Sequence, residues 1–337
     1  MAIKGCLVGC GYFSQFQVEA WKRMAPRVEL TGICDLDESK ARRFQTGNVY
    51  TDLAEMLDQE KPDFLDIVTR PEHHLPMARM AAERGIHVFC QKPFAETIEE
   101  AHQIIEACRN VRLMVNENFR WQAWYREIKK LLKAGTIGEP FTFHWQHRAN
   151  DGLLDPPYPD QPYFIHYPRF LIYEVLVHHL DTSRFLFGEP VELSCTTARV
   201  NPKMAGEDLA IITLRYHEGF AGVIDANRCA PTDHDGKAMG NFRIDGHDGF
   251  LWMSDEGEIT IESRNGKKFP HSWLKPTTGY RGDACFGTQQ HFIECLESGA
   301  DFETGGTEYL KTMQLVDLCY ESAKQKRTLK IPASPPA

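Results

Sequence analysis

The sequence predicts an α/β fold at the N-terminus, with a doubly wound parallel sheet, followed by an α+β domain with a mostly antiparallel open sheet and helices. Short apolar segments alternate with helix-like segments over the first 120 residues, which is typical of repeated β-α units. A glycine-rich turn follows the first apolar segment. After residue 140 most segments alternate apolar and polar residues, as antiparallel strands do. The 337 residues therefore predict two domains, residues 1–120 and 121–337.

The first domain is predicted from five short apolar segments that read as buried strands. Helix signals separate them: Gly85 ends one helix, and Thr97 caps another with Glu100 at the capping-box spacing. Strands are expected at 3–8, 28–34, 64–68, 87–90 and 113–116, with helices before residue 25 and at 38–44, 73–84 and 97–109. Ligands of such sheets bind at the carboxyl ends of the strands.

The second domain begins with a predicted helix and then changes to strands. Residues 151–168 form a long loop rich in proline, aspartate and aromatic residues, either a functional loop or an ordinary surface loop. Helices are expected at 121–134, 170–187, 284–298 and 307–325, and strands at 140–149, 191–200, 208–216, 220–229, 241–246 and 257–263.

Composition and charge exclude several classes of protein. The net charge is −9 and no run of Lys or Arg exceeds two residues, so we expect no nucleic-acid partner. The ten cysteines are scattered and lack a C-x-x-C pair, which fits buried thiols in a cytoplasmic protein. No apolar stretch reaches the ~20 residues of a membrane span, and the first residues lack a signal-peptide core. We expect no membrane partner.

A Gly-x-Gly-x-x-Ser turn at Gly9–Ser14 follows the first strand and points to a Rossmann domain. Gly9 permits the tight turn, and Gly11 lets a pyrophosphate approach the backbone. Asp35 follows 24 residues after Gly11, where a carboxylate binds the adenosine ribose and repels a 2′-phosphate. This pattern predicts NAD as the cofactor. NADP stays open because Arg42 and Arg43 are near, and the simplest alternative is a turn beside a surface aspartate.

Gln91-Lys92-Pro93 follows the predicted strand at 87–90, which places Lys92 at a carboxyl strand end. A lysine there can polarise a substrate hydroxyl, although most lysines are only solvated.

Glu174 and His178 are four residues apart in the predicted helix at 170–187, so they share one face. Asp181 is three residues after His178 and is expected near it, where a carboxylate raises the basicity of a histidine. The group reads as a general acid–base pair. A surface salt bridge and a zinc site are the alternatives, but the H-E-x-x-H motif is absent, so we expect no metal.

In this order, the motifs resemble the Gfo/Idh/MocA family of NAD(P)-dependent sugar and polyol dehydrogenases. The resemblance covers nearly the whole chain through GCGYFS, CDLDESKA, VTRPEHH, GIHVFCQKP, VNENFRW, LLKAGTIGEP and EVLVHHLDTSRFLFGEP. Two positions depart from the family pattern. Gln91 replaces a glutamate and removes a charge beside Lys92, and Glu174 stands where many members have aspartate.

The resemblance implies roles for individual residues. Lys92, His178 and Glu174 are expected to be catalytic, with His178 as the principal acid–base group. Cofactor contacts are expected from Gly9, Gly11, Tyr12, Phe13, Asp35, Thr69, Pro71, Gln91, Lys92 and Asn118. Substrate contacts are expected from Lys92, Arg120 and His178, and from residues on or near the aromatic loop, namely Arg148, Asn150, Tyr163, His166 and Arg169.

The expected function is NAD-dependent oxidation of a sugar or polyol carbon, for example of an aldose such as D-apiose to its lactone. A glycosidase of the same fold that uses NAD transiently, a non-catalytic dinucleotide-binding regulator and a zinc enzyme are the alternatives. The resemblance also implies a homodimer or homotetramer that pairs subunits through the C-terminal sheet.

Overall fold

The computed structural model describes residues 2–231 and 236–332, and the chain divides into two compact units. The first comprises Met1–Trp121 and Asp283–Lys311. The second comprises Gln122–Gly282 and Thr312–Ala337. The sequence predicted one boundary near residue 120, whereas the structure also returns residues 283–311 to the first unit.

The first unit contains a six-stranded parallel sheet with the order β3-β2-β1-β4-β5-β6, which is the order of dinucleotide-binding folds. This confirms the predicted doubly wound sheet. Its strands are β1 (Ile3–Val8), β2 (Val28–Cys34), β3 (Asn48–Tyr50), β4 (Phe64–Ile67), β5 (His87–Gln91) and β6 (Leu113–Asn116).

Some helices of this unit begin at a capping side chain, whereas the helices Ser14–Arg23 and His74–Ala82 have none. Thr97 accepts a hydrogen bond from the Glu100 amide at 3.1 Å, as predicted, and Asp52 caps α3 in the same way through the Glu55 amide at 2.8 Å. The helices are α1 (Ser14–Arg23), α2 (Glu38–Arg42), α3 (Leu53–Glu60), α4 (His74–Ala82) and α5 (Ile98–Ala107).

An aromatic cluster explains why the later segment belongs to this unit. Phe292 lies on α8 (Ala284–Ser298) and is fully buried. Its ring centroid lies 5.3 Å from that of Phe64 and 5.0 Å from that of Phe89, both on sheet strands. Trp21 of α1 packs on Phe64 at 4.8 Å. Burial of such large rings is worth several kcal/mol, so α8 is part of the core of this unit.

The second unit contains a nine-stranded sheet in the order β14-β13-β12-β11-β7-β10-β9-β8-β15, counted over the described residues. Only β7 and β10 pair in parallel; the other neighbours are antiparallel, as predicted. The strands are β7 (Pro140–Arg148), β8 (Glu192–Ala198), β9 (Leu209–Arg215), β10 (Ala221–Asn227), β11 (Asn241–Gly246), β12 (Gly249–Met253), β13 (Ile259–Ser263), β14 (Lys268–Pro270) and β15 (Leu329–Lys330).

The predicted helix at 170–187 has two parts. Leu171–Leu176 forms a π-helical segment, and α7 (Val177–Phe187) continues from it. Short π-helical segments are rare and concentrate at functional sites. The remaining helices are α6 (Ala123–Lys133) and α9 (Gly306–Gln325).

Candidate active site

The glycine turn has the backbone that a phosphate-binding turn needs. Gly9 has φ +94°, and a Cβ there would lie 2.5 Å from the Val68 carbonyl oxygen, so only glycine fits. A Cβ on Gly11 would have no heavy atom within 4 Å, so the turn is open where a pyrophosphate approaches. The Ser14 hydroxyl donates to the Gly11 carbonyl at 2.6 Å, where α1 begins. These residues fit a dinucleotide.

Asp35 lies just beyond the end of β2 and holds the same turn. One carboxylate oxygen accepts from the Cys10 amide at 2.7 Å, and the other accepts from the Asp37 amide at 2.9 Å. Each oxygen has lone-pair capacity left for a ribose hydroxyl. Asp35 is therefore placed both to shape the turn and to bind ribose.

Arg43 contributes to the turn in a way that the sequence did not reveal. Its guanidinium donates to the Cys10 carbonyl at 3.0 Å and to the Gly11 carbonyl at 2.8 Å. Arg42 instead pairs with Glu38 on α2. Tyr12 is exposed at the turn and Phe13 is half-buried, so both stand where a cofactor contact is expected.

A buried histidine joins the segments that follow β4 and β5. The His74 ring lies 3.1 Å from the Thr69 carbonyl oxygen and 3.0 Å from the Phe94 carbonyl oxygen. Burial lowers the pKa of His74. Thr69 and the buried Pro71 precede this ring, so the predicted cofactor loop is fixed to the segment that carries Lys92.

Gln91 is the last residue of β5, and Lys92 follows it at the carboxyl edge of the sheet, as predicted. The Gln91 side-chain oxygen accepts from the Lys92 amide at 2.8 Å. Lys92 itself is half-buried. The lysine therefore lies at the edge of the sheet where ligands of this fold bind.

The segment after β6 carries two predicted residues and one that was missed. Asn118 donates to the Cys285 sulfur at 3.5 Å, and Arg120 donates to the Glu303 carbonyl at 3.0 Å; both side chains are buried. Glu117 is fully buried beside them. A charged residue directly after a predicted parallel strand was the signal that would have found it.

In the second unit, Glu174 and His178 stand on either side of the change from π-helix to α-helix. Glu174 lies in the π-helical segment, His178 lies in the first turn of α7, and both are buried. Glu207 anchors the start of the segment by accepting from the amides of Phe170 at 3.3 Å and Ile172 at 3.0 Å. No local pattern predicted this anchor, because Glu207 is distant in the chain.

Asp181 has buried partners besides the predicted acid–base pair. Its carboxylate accepts from the Thr312 hydroxyl at 2.9 Å and lies 3.8 Å from the Arg184 guanidinium, and all three groups are buried. Asp181 therefore belongs to a structural polar cluster.

The residues on and near the aromatic loop occupy varied surroundings. Arg148 pairs with Asp225 at 2.6 Å, and Arg169 pairs with Asp317. Tyr163 accepts from the Gln161 amide at 2.6 Å in a 3-10 turn, Pro162–His166, that also contains the exposed His166. The half-buried Asn150 comes just after β7. Their assignment to substrate stays a prediction.

Neither a metal site nor a membrane-spanning helix is found in the part of the chain that the structure describes. Residues 2–231 and 236–332 contain no group of three His, Cys, Asp or Glu side chains arranged to hold a metal ion. Within the same residues, no helix is both long and apolar enough to cross a membrane.

The sequence patterns of one family match both units. Residues 3–119 match its oxidoreductase domain with an NAD-binding Rossmann fold, and residues 125–252 match its C-terminal domain. The chain belongs to the Gfo/Idh/MocA family. The resemblance found in the sequence is confirmed, and so are the fold class and an NAD-binding oxidoreductase.

Individual relatives extend over nearly the whole chain. A D-apiose dehydrogenase from Paraburkholderia graminis is 34% identical over 97% of this chain and 89% of the relative. A second, from Rhizobium rhizogenes, is 33% identical over 98% of each chain. A crystal structure of an oxidoreductase from Agrobacterium radiobacter in complex with NAD+, L-tartaric acid and magnesium has a TM-score of 0.89, with 32% identity and 98% of each chain covered.

Proposed function

We propose that this family member oxidises an aldose at its anomeric carbon to the lactone, with NAD as the oxidant and D-apiose as the first substrate to test. The observation that carries the proposal is the near full-length similarity to two D-apiose dehydrogenases. The placement of Lys92 at the carboxyl end of β5 supports it, because the glycine turn lies in the same unit. The proposed activity belongs to the broader class of NAD-dependent sugar and polyol dehydrogenases.

The proposed roles divide one hydroxyl oxidation among three side chains. His178 takes the hydroxyl proton, and Glu174 tunes and orients the histidine. Lys92 donates a hydrogen bond to the same oxygen and so stabilises the charge that develops on it. NAD, when bound, accepts the hydride from the carbon.

The proposed preference for NAD depends on Asp35. A carboxylate at the end of β2 accepts hydrogen bonds from ribose hydroxyls and repels a 2′-phosphate. One guanidinium nitrogen of Arg43 donates to two carbonyl groups of the glycine turn, so this arginine helps to hold the turn.

The test is NADH formation on a panel of free aldoses, polyols and inositols, with NAD and with NADP, for wild type and Lys92→Met. We expect turnover on one aldose with NAD, strongly reduced with NADP, and lost in the variant. A glycosidase would release sugar from a glycoside while retaining its NAD. A regulator would bind NAD without turnover on any member, and either result would overturn the proposal.

We propose that the protein is a homodimer or homotetramer that pairs through the outer face of its nine-stranded sheet. On β9 the side chains of Ile212 and Leu214 are buried, whereas Ile211 is 44% exposed. Trp252 on β12 is 36% exposed on a strand whose alternate residues are buried. Large apolar side chains left on a broad sheet face favour burial against a second copy.

We propose a reducing compartment, the cytoplasm, as the place of action. All ten cysteines are free thiols, and nine of them are buried. Burial raises the pKa of thiols such as Cys6, to about 12, so they are unreactive in the folded protein.

A further inference from the structure

The neutral residue before Lys92 raises the question of what balances the charge of this lysine. Gln91, directly before Lys92, carries no charge. Its side-chain oxygen is engaged by the Lys92 amide, so it serves the backbone. A counter-charge for the ammonium of Lys92 therefore comes from another segment of the chain.

Strand register brings Glu117 to that place. Gln91 pairs with Asn116 at the ends of the neighbouring parallel strands β5 and β6. Lys92 and Glu117 are therefore the next residues on two chains that run about 4.8 Å apart. Glu117 is fully buried, and it accepts from the Tyr309 hydroxyl at 3.0 Å and the Phe119 amide at 3.2 Å.

Glu117 ionises near neutral pH. Burial raises its pKa to about 7, while the Phe119 amide, the positive charge of Lys92, the Tyr309 hydroxyl and the positive charge of Arg120 act in the opposite direction. These groups come from the segments after β5 and β6 and from α9. The carboxyl of Glu117 therefore changes its charge near neutral pH, and the positive charge of Lys92 favours its ionised form.

We propose that Glu117 is a positioning residue for Lys92, and that its carboxylate is the counter-charge that Gln91 does not supply. The inference rests on the proposed role of Lys92 in catalysis. When Glu117 is ionised, it holds Lys92 as an oriented ammonium that donates to the substrate oxygen. When Glu117 is protonated, this support is lost, so the catalytic rate constant rises as pH increases through the ionisation of Glu117.

The direct test is the reactivity of Lys92 toward acetic anhydride, measured by peptide mass spectrometry between pH 6 and 9. Only the uncharged amine reacts, so a counter-charge slows labelling. In Glu117→Gln, acetic anhydride is expected to label Lys92 at least about tenfold faster at pH 8. Tenfold is the lower end of the effect that a nearby opposite charge has on an ionisable group. Adding Gln91→Glu to that variant is expected to restore slow labelling. Equal labelling of wild type and Glu117→Gln overturns the inference.

Two controls separate charge from structure. Tyr309→Phe removes a hydrogen bond that lowers the pKa of Glu117, so the pH at which Lys92 labelling changes is expected to rise; a profile identical to that of wild type contradicts the proposal. Should Glu117→Gln fail to fold, wild type alone decides. Its labelling profile has to show an inflection near pH 7 from Glu117, and a profile without that inflection overturns the inference.

Turnover distinguishes this inference from the proposed function. In Glu117→Gln we expect kcat to fall roughly tenfold with little change in KM, and Gln91→Glu to restore the rate. Fast labelling in Glu117→Gln together with no turnover on any sugar would refute the function and leave the charge pairing intact. Normal turnover with unchanged labelling would refute the charge pairing alone.

Discussion

His178 and His179 are neighbours in the chain but have different surroundings. The His179 ring lies 3.2 Å from the Met239 carbonyl oxygen and packs at 4.3 Å on Trp145. Burial lowers the pKa of His179 to about 3, so this ring is neutral and structural. His178 is the histidine proposed to take the proton.

We predict that His178→Asn lowers kcat by about 10²- to 10⁴-fold, the usual contribution of general acid–base catalysis, with a much smaller change in KM. Steady-state kinetics on the identified sugar measure this. His179→Gln is the matched control: it is expected to lower the melting temperature, because it leaves a cavity in the core, while kcat of the folded enzyme is retained. Wild-type kcat in His178→Asn would remove this residue from the mechanism.

Asp66 lies in the middle of the parallel sheet and makes stability depend on pH. Its carboxyl is fully buried on β4 and accepts from the Trp21 indole at 2.7 Å. Burial raises its pKa from 3.8 to about 8. Because the folded value exceeds the unfolded one, its stabilising contribution is complete below pH 3.8 and is lost as pH rises through about 8.

We therefore predict that Asp66→Asn removes a part of the pH dependence worth up to several kcal/mol between pH 4 and 8. The asparagine oxygen can still accept from Trp21, so the variant is expected to gain stability at pH 8 relative to wild type. Urea unfolding at several pH values measures this. If the free energy of unfolding depends on pH in the same way in both proteins, Asp66 is ionised in the folded protein over this range.

At the scale of elements, the π-helical segment before α7 depends on one distant carboxylate. Glu207 accepts from two amides at the start of the segment and from the Tyr320 hydroxyl at 2.6 Å. Hydrogen bonds to a charged group contribute roughly 1.5–3 kcal/mol each, and the cost of burying the carboxylate offsets part of their sum. The segment carries Glu174, so its backbone sets the position of a proposed catalytic side chain.

We predict that Glu207→Ala lowers both the free energy of unfolding, by about 2–3 kcal/mol, and kcat, because the segment that holds Glu174 loses its anchor. Tyr320→Phe is the milder comparison, since it removes one donor to Glu207 and the acceptor of the Tyr173 amide but leaves the carboxylate on the amides of Phe170 and Ile172. Chemical denaturation and kinetics on the same preparations test this. Unchanged kcat in a destabilised Glu207→Ala would limit the carboxylate to a structural role.

Local sequence signals predicted those helices and strands whose own residues mark where the element begins or ends. The buried strands β1, β2 and β6 and the cap of α5 are of this kind. The short strand β3 has only three residues, too few to display a period, and helix α3 after it was missed as well. Strand β12 lies between glycines and also escaped prediction. The π-helical segment could not be predicted, because its anchor Glu207 comes from elsewhere in the chain.

At the scale of the whole molecule, the same distinction applies to the candidate site. Gly9, Asp35 and Lys92 could be placed, because each follows a strand and parallel strands share one carboxyl edge. Glu117 could not be assigned to Lys92 before the strand register was known. The return of residues 283–311 to the first unit likewise depends on aromatic packing with α8, which no local pattern reveals.

The outer face of the nine-stranded sheet is the proposed interface between subunits, and a charge placed there tests it. Ile211→Asp places a charge on the outer sheet face, and burying an unpaired charge at an interface costs several kcal/mol, so the variant is expected to be a monomer. Leu274→Asp is the control: this side chain is 95% exposed and lies outside the strands, so its substitution leaves the assembly intact. Light scattering after size-exclusion chromatography measures both. An Ile211→Asp variant with the wild-type mass would contradict pairing through this face.

The central claim is hydride transfer from the anomeric carbon of an aldose to NAD, and isotope transfer tests it most directly. Wild type would be incubated with NAD and D-apiose deuterated at its anomeric carbon, and both products would be analysed by mass spectrometry. We predict NADH that carries one deuterium and a sugar lactone that carries none at that carbon. NADH without deuterium, or an oxidised sugar that retains it, would contradict oxidation at the anomeric carbon.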